Sequence, residues 1–91
     1  MSRRQKLSDN YPGSEDLVFL EPEYFDEAII GVASNATGMF AVAYSEPKII
    51  ELLIQHDRMD PDEAMEWYQF NILGSYLGES TPLFIDETVL E

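Results

Sequence analysis

Asp57, Asp60, Asp62, Glu63 and Glu66 crowd carboxylates into one short segment, with His56 beside them. Those residue types offer three kinds of chemistry: cation binding, acid–base work, or docking on a basic surface. A Ca²⁺ loop of the EF-hand kind wants oxygen ligands at alternating positions, a Gly at the sixth and a Glu at the twelfth. This segment has Pro61 and no Gly, and its acids have a simpler use at a helix start. His56 is the only histidine. No nucleophile stands at a meaningful spacing from it, so it reads as a boundary or capping residue rather than a general base. Trp67 and Phe70 follow the acids and lie off the main apolar face. They pack under the N-terminal segment or Leu17–Leu20, or they anchor a partner, since exposed aromatics next to charge make effective hot spots.

The rest of the composition narrows the classes. Among 91 residues, 18 acids face five bases, for a net charge of −13. Arg3, Arg4 and Lys6 are three of the five bases, so the body of the chain is more acidic still. Such a surface repels a phosphate backbone, which excludes direct nucleic-acid binding as a main role. There are no cysteines, hence no disulfide, thiolate metal site or cysteine nucleophile. No apolar run approaches the ~20 residues of a membrane helix, and no apolar stretch follows the N-terminal bases as a secretory signal requires. A cytoplasmic protein without catalytic residues, cofactor or metal is the expectation. Asn35-Ala36-Thr37 matches a glycosylation sequon but reads as ordinary turn chemistry.

The length fits one domain. Residues 1–16 are polar, contain Tyr11-Pro12-Gly13 and show no apolar period. They read as a flexible tail before a single domain at 17–91. Leu17–Leu20 is an edge strand or a loop that packs down. Ala28–Ala33 is β-rich, and Met39–Tyr44 alternates Phe40, Val42 and Tyr44 with small residues. The loop between them predicts a β-hairpin. Ser45 is the N-cap of a first helix whose apolar arc is Ile49, Ile50, Leu52, Leu53 and Ile54 and which ends near Asp57-Arg58. Asp60-Pro61-Asp62-Glu63 opens a second helix as a capping box. That helix is expected to run to about Leu77, with Gly78 just past its end. Ala64, Met65, Tyr68, Ile72 and Tyr76 form its main face, and Phe70, Leu73 and Leu77 a second one. Gly74 suits close packing on a neighbouring element. Pro82–Ile85 is a last short strand. The order β-β-α-α-β defines an α+β fold, a small sheet with a two-helix hairpin on one face. Two antiparallel helices between strands predict a third strand parallel to the first and antiparallel to the second.

Asp26–Gly31, Ile50–Leu53, Asp60–Glu66, Phe70–Glu79 and Thr81–Phe84 carry a resemblance to small acidic proteins of tailed bacteriophages, over about residues 25–85. Phe70-Asn71, Gly74, Tyr76 and Gly78, with Thr81-Pro82 after them, are its most specific part. The resemblance implies a phage accessory protein in the host cytoplasm and no enzymatic activity. From the residues themselves, the expected role is protein binding. Glu51, Asp57, Asp62, Glu63 and Glu66, with Trp67 and Phe70 as apolar anchors, would dock on a basic patch of a host protein. In the extreme case they would imitate the phosphate rows of DNA and inhibit their target. The alternatives are a homodimer through Phe70-Leu73-Leu77 and an Asp/Glu metal site using His56.

Overall fold

A computed structural model describes residues 3–10, 17–34, 36, 38, 40–74 and 81–90. Its core begins at β2 (Phe40–Ser45), which lies between β1 (Ile29–Ser34) and β3 (Leu83–Ile85). Val42 and Tyr44 are fully buried on the face of β2 that meets the helices. The small Ala41 and Ala43 point the other way, as the period-2 pattern requires. Gly38 turns the hairpin at φ +87°, a conformation that costs glycine nothing. The β1–β2 pair is antiparallel, with a bulge at Ile30: Ile29 faces Tyr44, but Gly31 already faces Ala43. An α+β fold with the expected element order is therefore present.

Ser45 ends β2 and also caps α2 (Glu46–Asp57), its Oγ accepting from the Lys48 N–H at 3.3 Å. Ile49, Leu52 and Leu53 are completely buried from this helix and form the middle of the core with Phe25, Ala64 and Tyr68. Arg58 closes α2 at φ 55°, in the left-handed region. The turn to α3 (Pro61–Tyr68) is short because the next cap follows at once. Asp60 Oδ1 accepts from Glu63 N at 2.8 Å, and Glu63 Oε1 accepts from Asp60 N at 3.2 Å, a complete capping box.

Three expectations change. First, α3 stops at Tyr68 and gives way to a π-helical turn, Gln69–Leu73. In an α-helix each four-residue step overshoots a full turn by about 40°. The wider π turn takes that drift back, so Ala64, Tyr68 and Ile72 all remain buried. Met65, expected on the same face, is 38% exposed. Tyr76, Leu77 and Gly78 lie outside the described residues. A Cβ on Gly74 would meet its own Gln69 carbonyl oxygen at 3.2 Å, so the close approach is to the π turn and not to a neighbouring element. Second, β3 runs parallel to β2, Ala43 facing Leu83 and Ser45 facing Ile85. A strand of three residues is not bound by the parity of the helices before it. Phe84 packs against Tyr44 (6.1 Å between centroids) and Tyr68 (5.5 Å), and Ser45 Oγ donates to Glu87, which holds the chain after β3 at the Ser45 end of β2, as a parallel strand requires.

Third, Arg3–Asn10, placed in the polar tail by the sequence reading, forms helix α1. Arg4 reaches the Asp26 carboxylate at 3.0 Å, the Leu20 carbonyl at 2.9 Å and Glu21 at 3.2 Å, and lies 4.8 Å over the Phe19 ring. Arg3 donates to the Ile29 carbonyl at 2.6 Å. Leu17–Leu20 is a loop that packs down, and the Leu20 N–H donates to Tyr44 Oη at 2.9 Å. Glu23–Ala28 is a 3-10 turn leading into β1.

Candidate functional site

The capping box fixes where α3 starts and which way it faces, and so it aims the residues behind it. Ala64, Tyr68 and Ile72 go inward; Glu63, Glu66, Trp67 and Phe70 go outward. Those four, with Met59 and Asn71, line one open groove of about 300 Å³. Phe70 is 77% exposed and Trp67 36%. Phe70 stands clear, whereas Trp67 is partly covered and, with Asn71, also lines a second groove of about 290 Å³ shared with Phe19, Leu20 and Pro82. One side of the site is therefore apolar and the other anionic.

The carboxylates differ in how free they are. Asp62 and Glu66 carry no side-chain partner among the described residues. Glu63 holds the Asp60 N–H, so its charge is fixed in place at the groove wall. Glu51, on α2, accepts from Gln55 at 3.1 Å and pairs with Lys48 at 3.4 Å. Asp57 accepts the Tyr24 hydroxyl at 2.6 Å. Of the acids singled out in the sequence, Glu63 and Glu66 thus share a groove with Trp67 and Phe70, whereas Glu51, Asp57 and Asp62 lie outside it. Met59 and Asn71 complete the lining and were not singled out; a methionine in an interhelical turn has no signal in one sequence.

His56 is exposed, and its ring stacks on Tyr24 at 4.3 Å and 7°. Among the described residues, no group of three metal-ligating side chains converges. Asn35 and Thr37 of the sequon lie outside the described residues. Among the described residues, no helix is long and apolar enough to cross a membrane.

Three tyrosines titrate late. Burial raises Tyr44 to about 12, against the opposing pull of the Leu20 N–H. Burial and then Asp57 raise Tyr24 to about 12. Burial and then Glu46, whose carboxylate accepts from Tyr68 Oη at 2.6 Å, push Tyr68 above the usual tyrosine range. Each folded-state pKa lies above the unfolded value near 10, so folding favours the neutral phenol. That stability is fully present below pH ~10 and is lost as pH rises towards 12 and beyond. For the fully buried Tyr44 alone it amounts to on the order of 2–3 kcal/mol. Urea unfolding at stepped pH should therefore show a flat midpoint from neutrality to about pH 9 and a fall above 10, together with delayed tyrosinate absorbance. A midpoint unchanged at pH 12 would rule out these buried phenols as the cause.

The fold and groove define the class: an α+β protein whose mixed three-stranded sheet carries helices on one face and an acidic, aromatic helix surface outward. Compared with known proteins, the chain matches no family model, no curated protein and no solved structure.

Proposed function

We propose that this is a non-enzymatic binding module that docks on a basic surface of a partner protein through the α3 groove. The observation that supports it is the convergence of Trp67 and Phe70, both exposed, with Glu63 and Glu66 in one concave surface. An arginine or lysine on the partner would set its aliphatic stem or guanidinium plane on the aromatic rings and its charge against the carboxylates. With a net charge of −13, the whole molecule would steer a basic partner inward and make association fast and salt-sensitive. The resemblance of residues 25–85 to small acidic tailed-phage proteins makes a bacterial host protein, met in the host cytoplasm, the partner to test. Inhibition by imitation of DNA is the strongest form of this reading.

The test is capture from a bacterial lysate on immobilised protein, alongside the variant Glu66→Lys with Phe70→Ala. One dominant partner, released as salt rises and bound at least roughly 30-fold more weakly by the variant, is expected, since a central aromatic is worth about 2 kcal/mol. Displacement of DNA from that partner would extend the reading to mimicry. Equal retention by the variant would remove the groove from consideration. Trp67 is the only tryptophan, so its fluorescence reports occupancy directly.

A second reading has its own observation: Phe70, from the groove, and Leu73, 51% exposed, are two large apolar side chains left uncovered on one turn. A homodimer through them must overcome the repulsion of two acidic chains. Sedimentation at two concentrations decides it, and a strict monomer ends it.

A further inference from the structure

Away from the α3 groove, α1 and β1 line another open groove, of about 570 Å³. It falls in the size range of small-molecule sites. Arg3, Lys6, Leu7 and Asn10 form its helical wall, and Ile29, Ile30 and Gly31 its strand wall. We propose that this groove binds a small amphiphilic carboxylate, the head group on Arg3 and Lys6 and the apolar body on Leu7 and Ile30.

Three independent features of the chain argue for such an occupant. The first is charge. In a protein with 18 acids, Arg3, Lys6 and Arg58 have no carboxylate partner among the described residues, whereas Arg4 and Lys48 do, and of those three Arg3 and Lys6 stand together at this groove. Arg3 is held in place, because it donates to the Ile29 carbonyl at 2.6 Å, and its other donors remain for a ligand. Asn10 adds an amide, tethered through its donation to the Lys6 carbonyl at 2.9 Å. The second is the bulge. Ile30 is the extra residue of β1, turned out of the ladder by the register shift, and stays 49% exposed at the groove. Bulges re-aim side chains in this way beside binding sites. The third is access. A Cβ on Gly31 would meet no atom within 4 Å, so this part of the strand wall is open surface that a ligand can reach and an added side chain can occupy.

The balance of charge selects the head group. A carboxylate sets one negative charge against two cations and matches the planar fork of arginine. A phosphate near its double charge would use both cations while the −13 field of the chain opposes it. The same field favours a cationic amphiphile everywhere else on the surface. Preference for an anion is therefore a strict criterion.

Calorimetric titration of the full chain with decanoate, below its micelle concentration, tests this against decyltrimethylammonium and acetate. Saturable decanoate binding is expected, at least tenfold tighter than either control. Gly31→Val fills the groove from the strand side and suits β structure better than glycine. It should abolish binding while holding or raising the melting temperature. Lys6→Glu, at an exposed position, should weaken binding about tenfold or more. Amide shifts in the NMR spectrum should centre on Ile30 and Gly31. Equal affinity for the alkylammonium, binding retained in Gly31→Val, or no decanoate binding would each overturn the proposal. Self-association lost in Gly31→Val, without decanoate binding, would overturn it too and give the groove to a second copy.

Discussion

Arg4→Ala should lower stability by about 3 kcal/mol, a large share of what a chain this size possesses. The reason is what it leaves behind. Asp26 is only 7% exposed, and Arg4 supplies both its hydrogen bond from Nε at 3.1 Å and its ion pair at 3.0 Å. An uncompensated buried carboxylate costs more than the pair was worth. The Leu20 carbonyl and the Phe19 ring lose their partner in the same step. The Arg4 side chain is 23% exposed, so water recovers part of the loss, and the value belongs at the low end of the 3–5 kcal/mol range for buried pairs. The check is urea unfolding at neutral pH. A midpoint shift worth less than about 1 kcal/mol would mean that α1 is not anchored here. Joint replacement, Arg4→Met with Asp26→Leu, should return most of the loss, because neither charge is then buried alone.

Tyr68→Ala should cost about 4 kcal/mol, within the range for removing a large buried aromatic. The ring is completely buried and meets Phe84 edge-on at 5.5 Å and 85°. Its hydroxyl donates to Glu46 at 2.6 Å. One side chain thus joins α3, β3 and the first turn of α2. Tyr68→Phe keeps the ring and loses the hydroxyl, so about 1–2 kcal/mol is expected. The pair of variants also separates stability from docking. Tyr68→Phe should bind a groove partner with unchanged affinity, while Tyr68→Ala should weaken it by releasing the inward face of α3. Equal stability of the two variants would show that the ring contact carries little.

How much of this was legible in the sequence depended on the range of the interaction. The two helix starts were, because Ser45 and Asp60 act on backbone groups three residues away. The hairpin was legible for the same reason, its alternation and turn being local. The groove was half legible: helical spacing puts Glu63, Glu66, Trp67 and Phe70 on one side of α3, but Met59 arrives from the preceding turn. The anchoring of α1 was not legible, since it rests on Arg4 meeting Asp26 and Leu20 across the fold. Nor did the pattern give α1 away. Arg3, Lys6, Leu7 and Asn10 do share one face at helical spacing, yet that face is polar, and apolar periodicity misses it. The direction of β3 was hidden because three residues carry little pattern and the contact that goes with it, Ser45 to Glu87, spans the sequence.

The joint at Ser45 bears on how this chain can change over generations. The last strand residue and the helix cap are one residue, so β2 and α2 share a continuous count with no spare position between them. An inserted residue would turn α2 by about 100° relative to the sheet, or else shift β2 by one and exchange its two faces. Ile49, Leu52 and Leu53 would leave the core in the first case, Val42 and Tyr44 in the second. Substitutions across residues 40–57 are a matter of degree; a change of length there is not. Diverged relatives should therefore keep that stretch free of gaps and vary in length elsewhere.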